Sequence, residues 1–128
     1  MSEYLFTYGT LRPGRAPAEI AAAVRTLRVV GTGRIRGTLY DLGEYPGAVL
    51  DADAAEIDGT VFELPDVPGI LGLLDAYEEF DPGGPEASLF VRELHPVMLD
   101  TGGTLTCWVY VYNRAPAGAR VVCGGRWF

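Results

Sequence analysis

The sequence predicts a single α+β domain. Three observations carry this. Five stretches follow strand patterns, two follow helical ones, and no repeat, low-complexity tract or long linker interrupts them, so one core is expected over residues 1–128.

The elements follow in chain order. Residues 4–8, Tyr-Leu-Phe-Thr-Tyr, are β-rich and end at Gly9, which reads as a strand entering a turn that Pro13 and Gly14 prolong. Residues 17–25 are alanine-rich with Ile20 and Val24 four apart, predicting a short helix. Residues 34–41 alternate, with Ile35, Gly37 and Leu39 on one face and Arg34, Arg36 and Thr38 on the other. Residues 43–47 read as a turn and residues 57–64 as another strand. Residues 89–99 and 105–112 form a hairpin pattern around Asp100-Thr101-Gly102-Gly103. In its second strand Leu105, Cys107, Val109 and Val111 alternate with Thr106, Trp108, Tyr110 and Tyr112, giving one aliphatic and one aromatic face. The tail from Ala115 is glycine-rich, with Trp127-Phe128 available to pack back as a closing segment.

The second helical stretch carries the candidate chemistry. Asp66 suits an N-cap, and Pro68 suits a first turn whose N–H groups lack partners anyway. Val67, Ile70, Leu71 and Leu74 have the i, i+3, i+4, i+7 spacing of a buried stripe, and four residues further lies Glu78. At about 100° per residue, position 78 falls about 20° from position 67, inside the stripe. Glu79 then faces water, with Asp75 between the two, so one carboxylate alone is aimed inward. Desolvation of such a group favours its protonated form and moves it toward the range where a general base or acid works. The competing reading is a frayed helix end in which Asp75, Glu78, Glu79 and Asp81 are all solvated.

Composition removes other chemistries. The chain has no lysine, which excludes a Schiff base, a P-loop lysine and a Ser-Lys pair. His95 is its one histidine, and Ser2 and Ser88 sit in no Gly-x-Ser-x-Gly elbow. One histidine and two distant cysteines, Cys107 and Cys123, make no zinc cluster and no disulfide framework. A net charge of −7 disfavours nucleic acid and anionic membranes. The absence of a long apolar run or a signal-like N-terminus predicts a cytoplasmic chain without a membrane span. Carboxylates, arginines, tyrosines and backbone amides remain as working groups.

Tyr8-Gly9-Thr10-Leu11-Arg12-Pro13-Gly14 is the second candidate constellation. Successive N–H groups in a glycine turn can form an anion-binding nest, and the same residues also read as a plain strand-ending turn. Gly37-Thr38-Leu39-Tyr40-Asp41-Leu42 and Tyr45-Pro46-Gly47 repeat this grammar and read mainly as strand and turn. His95, before Pro96, reads as packing or surface. The face of Trp108, Tyr110 and Tyr112 suits either core or a ligand wall.

Taken together, residues 4–14, the block Gly37-Thr38-Leu39-Tyr40-Asp41-Leu42-Gly43-Glu44-Tyr45-Pro46-Gly47, Leu73-Leu74-Asp75-Ala76-Tyr77-Glu78, Leu89-Phe90-Val91-Arg92 and Val109-Tyr110-Val111-Tyr112-Asn113 resemble, in order, the blocks of the gamma-glutamylcyclotransferase-like family. The resemblance implies a compact mixed β-barrel-like fold with short flanking helices. It implies a cofactor-independent enzyme without a metal, releasing 5-oxoproline and a free amine from a small γ-glutamyl amine, amide or peptide, as a monomer or homodimer. Glu78 falls on the family's acid/base glutamate, and the backbone of Tyr8, Gly9, Thr10 and Leu11 on its γ-glutamyl-binding turn. The pattern departs at Glu79, where many relatives have glycine, and at Phe90, where tyrosine is common; the second departure puts a side-chain contact and substrate choice in question. A non-catalytic ligand-binding module of the same fold, or removal of a γ-glutamyl group from a biosynthetic intermediate, are the alternatives.

Overall fold

A computed structural model describes residues 3–8, 25–42, 46–51, 54–65, 69–77, 80–81, 83–113 and 119–122. The strands are β1 (Tyr4–Thr7), β2 (Arg28–Asp41), β3 (Pro46–Leu50), β4 (Glu56–Glu63), β5 (Phe90–Leu99), β6 (Thr104–Tyr112) and β7 (Arg120–Val121). One α-helix, α1 (Ile70–Tyr77), and a 3-10 turn (Pro85–Ala87) complete the described elements.

Strands β2, β4, β1, β6 and β5 pair in that order, and β5 pairs back onto β2 through Gly33↔Leu99 and Arg34↔Met98. The result is a closed five-stranded barrel, antiparallel except for β1 beside β6. Closure brings two strands together obliquely, and Gly33 makes room: a Cβ there would lie 2.8 Å from Val97 Cγ1 and 3.0 Å from the Met98 carbonyl oxygen. The Asp100 amide adds a bond to the Thr32 carbonyl at 3.0 Å. The hairpin turn ahead of β6 uses Gly102 and Gly103 at φ of 100° and 85°, a region costly for any residue with a Cβ.

β2 is long enough to serve two sheets. Its first part belongs to the barrel; residues 37–41 run beyond it, pairing with β3 on one side and β7 on the other. The expected strand over 34–41 is therefore the second part of a longer one. The predicted turn over 43–47 is corrected as well: Pro46 and Gly47 already belong to β3, and residues 43–45 lie outside the described ones. The helix expected over 17–25, Asp66 and Pro68 as helix start, Cys123 and the Trp127-Phe128 closing segment also lie largely or wholly outside them.

Alternation along the strands divides the apolar side chains into two layers. Phe6, Ile35, Ile57, Val61, Val97, Cys107 and Val109 fill the barrel, with Leu39 extending the same cluster past it, while Leu5, Leu27, Phe62, Leu64, Phe90 and Tyr110 face outward beneath Leu74 of α1. The aliphatic face predicted for β6 is thus the barrel lining, and its aromatic face is the seat of the helix. Thr7 and Thr60, paired across β1 and β4, are buried too, and neither hydroxyl has a hydrogen-bond partner among the described residues.

Two outcomes follow. Thr60→Val exchanges an unsatisfied buried hydroxyl for a methyl of similar shape, so calorimetry should find stability raised by roughly 1 kcal/mol, or about 3 °C in Tm. A lower Tm would mean that the hydroxyl is bonded to water. Burial pushes the Cys107 thiol up from 9.0 to about 11. In a Cys123→Ser background, an alkylating reagent at pH 8 should therefore modify Cys107 only as denaturant unfolds the chain; rapid labelling of the native protein would contradict this.

Candidate active site

The helix α1 starts at Ile70, preceded by Gly69 at φ 85°, whose carbonyl accepts from the Leu73 amide at 3.1 Å. Ile70 and Leu74 are buried, Leu71 is half-buried and Leu73 points to water. The apolar stripe read from the sequence is present at these positions. One turn beyond Leu71, the same face brings in Asp75, which is only 4% exposed. This corrects two expectations: a buried carboxylate on this face is Asp75, which the wheel had set beside the stripe, and Asp75 is not part of a solvated acidic end. Asp81, by contrast, is exposed.

A buried carboxylate must be paired and hydrogen-bonded to persist, and Asp75 is both. Arg92 of β5 donates from Nε to Oδ1 at 2.8 Å and from Nη2 to Oδ2 at 3.1 Å. The hydroxyl of Tyr110, the neighbour of Arg92 across β5 and β6, donates to Oδ1 at 2.6 Å. The Arg92 guanidinium lies over Trp108, 4.3 Å from its ring centroid, and 5.8 Å from that of Phe80. Its side chain is 15% exposed, so the pair is shielded from screening by water.

The network continues through the barrel wall. The Tyr8 hydroxyl donates to the Tyr110 carbonyl at 2.5 Å and accepts from the Ala48 amide at 3.1 Å. Tyr8 follows β1 directly, at the first position of the candidate turn, and its ring is buried among the barrel residues. One connected set of bonds therefore joins α1, β5, β6, the end of β1 and β3.

The segment after α1 is tied down as well. The Phe80 amide donates to the Asp75 carbonyl at 2.8 Å, the wide i to i+5 bond found where helices end. The Ser88 hydroxyl accepts from the Asp81 amide at 2.8 Å and contacts the Gly84 carbonyl at 3.1 Å, while Asn113 Nδ2 holds the Ser88 carbonyl at 2.9 Å. Ser88, dismissed as a nucleophile on sequence grounds, is buried in this loop and organises it.

Of the expected site residues, Tyr8 is described and sits at the edge of this network. Glu78, Gly9, Thr10 and Leu11 lie outside the described residues, as does Glu79. Sequence reasoning missed Arg92 and Tyr110 as partners of Asp75. The available signal was a lone arginine on the strand facing an aromatic one. Phe90, the departure from the family pattern, is buried with its ring centroid 5.6 Å from that of Tyr112. Gly47 packs so closely on Tyr112 that a Cβ would lie 3.0 Å from its ring, a packing contact at the seam between β3 and β6. His95 is half-buried in β5. Among the described residues no three or more His, Cys, Asp or Glu converge as metal ligands, and no helix is long and apolar enough to cross a membrane.

The chain is similar in sequence and in fold to known proteins. A Niallia circulans protein named gamma-L-glutamyl-butirosin B gamma-glutamyl cyclotransferase is 33% identical over 111 residues, covering 86% of this chain and 67% of its own. The crystal structure of an AIG2-like protein from Mus musculus superimposes with a TM-score of 0.76 at 20% identity, over 99% of this chain and 88% of that one. YkqA of Bacillus subtilis matches with a TM-score of 0.71 at 21% identity over 99% of this chain, which spans only 40% of YkqA. The family described as "Gamma-glutamyl cyclotransferase, AIG2-like" matches residues 5–128. With the closed barrel, the capping helix and the blocks in order, the chain belongs to the gamma-glutamyl cyclotransferase, AIG2-like family.

Proposed function

We propose that the protein is a γ-glutamyl cyclotransferase that releases 5-oxoproline and a free amine from a small γ-glutamyl compound, with Glu78 as its acid/base and the backbone of Tyr8, Gly9, Thr10 and Leu11 holding the γ-glutamyl group. The observation that carries the reading is the bonded path from Tyr8 to Asp75. It fastens the first residue of the proposed binding turn to a residue three positions before Glu78. Family membership supports the chemistry; the fold alone would not, because a fold hosts many activities.

The reaction is an intramolecular aminolysis. The Glu78 carboxylate takes a proton from the substrate α-ammonium, freeing its lone pair. The nitrogen attacks the γ-carbonyl carbon, closing a five-membered ring and placing negative charge on the carbonyl oxygen, where backbone amides of residues 8–11 can stabilise it. The C–N bond to the departing amine then breaks as Glu78 returns the proton to that nitrogen, and the ring nitrogen gives up its second proton through the same carboxylate to the freed amine, which leaves as its ammonium form. Atoms and charge balance without any redox partner. Holding an extended glutamyl chain in its ring-closing rotamer contributes strongly, since oriented intramolecular reactions reach effective molarities of about 10⁵ M or more.

A second reading concerns the departing amine. The relative from Niallia circulans is named for gamma-L-glutamyl-butirosin B, which favours removal of a γ-glutamyl group from a biosynthetic intermediate over turnover of a γ-glutamyl peptide. Both readings use the same carboxylate.

A screen of γ-glutamyl peptides and γ-glutamyl amines for 5-oxoproline distinguishes them. On the best substrate, Glu78→Gln should lower turnover by about 10³-fold or more with the fold intact, and Glu79→Gln should act far more mildly. Comparable turnover by the two variants would refute the assignment. Calorimetric binding of every γ-glutamyl compound without product would identify a ligand-binding module instead.

A further inference from the structure

Arg92 touches both ends of the segment that contains Glu78. On one side its guanidinium forms the bidentate pair with the Asp75 side chain; on the other it lies 5.8 Å from the Phe80 ring centroid. The backbone closes over the same interval, since the Phe80 amide is bonded to the Asp75 carbonyl. Asp75 and Phe80, on either side of that segment, are therefore both in contact with one strand arginine. That arginine is held in turn by the face of Trp108. The third bond to Asp75 comes from Tyr110, whose carbonyl takes the Tyr8 hydroxyl proton.

We propose that Arg92, acting through Asp75 and Phe80 with Tyr110 as its partner, is a positioning residue for Glu78. It sets the distance between that carboxylate and the turn that begins at Tyr8. The inference rests on the reading of Glu78 as the acid/base. A stabilising pair alone would need only charge opposite charge. Here a planar fork satisfies both carboxylate oxygens, stacks on an indole and reaches the residue on the far side of the span. Only arginine matches that set of contacts, because a lysine ammonium is a point charge that cannot bond in parallel or stack.

The decisive variant is Arg92→Lys, which keeps the charge and removes the fork. In protein whose Tm stays above the assay temperature, kcat should fall about 10²-fold, the effect of misplacing a reacting group by about 1 Å, with KM within about threefold of the parent. The Kd for a γ-glutamyl peptide, measured by calorimetry, should be the same in Glu78→Gln and in Glu78→Gln/Arg92→Lys. Should Arg92→Lys melt too low, Tyr110→Phe removes one donor and leaves the ion pair, and should lower kcat about 10-fold at unchanged KM. A kcat equal to the parent's, or a loss residing in KM and Kd, overturns the inference. Failure of the underlying reading looks different: Glu78→Gln itself would then turn over like the parent.

Discussion

A negative charge beneath a helix, in a layer otherwise made of leucine, phenylalanine and tyrosine, constrains everything around it. Asp75 can remain there only while three donors from β5 and β6 saturate its oxygens. Removing one member of such a pair strands the other, at a cost of about 3–5 kcal/mol, so the helix, the two strands and the indole under the guanidinium stand or fall as one assembly. The barrel supplies the rigid half. Its strands close on themselves at Gly33, which fixes where β5 and β6 present their outward side chains.

This arrangement gives the two faces of the sheet separate tasks. The inward face is aliphatic apart from Phe6 and Tyr8, and holds the barrel together by packing. The outward face under α1 mixes apolar contacts with the charged cluster, and both are directional. β6 divides the tasks residue by residue: Cys107, Val109 and Val111 go to the interior, Trp108 and Tyr110 to the cluster.

Much of this was legible in the sequence because period-two alternation survives wherever one strand face is buried. β1, β4, β5, β6 and the later part of β2 were readable on that basis, as was the hairpin with its paired glycines. β3 and β7 were not. Pro46-Gly47-Ala48 carries turn residues, and its strand character comes from antiparallel pairing with the end of β2 just before it, which turn composition masks. β7 is two residues long and owes its existence to the same strand. The early part of β2 was hidden by Gly31 and Gly33, the second of which serves barrel closure rather than a turn. On the helix, periodicity located the stripe but set Asp75 beside it, because the partner that lets a carboxylate be buried there does not show on an apolar wheel. That partner lies 17 residues away on another element. The family blocks, by contrast, pointed to the correct fold without requiring any of these pairings.

The phenol of Tyr8 illustrates how completely a side chain can be absorbed by architecture. β3 and β6 share no ladder, and this hydroxyl stands in for one by accepting from Ala48 and giving its single hydrogen to the carbonyl of Tyr110. A phenol has no second hydrogen to offer. The ring of residue 8 is thereby spent on joining two strands, and its hydroxyl proton is already committed inside the wall of the barrel.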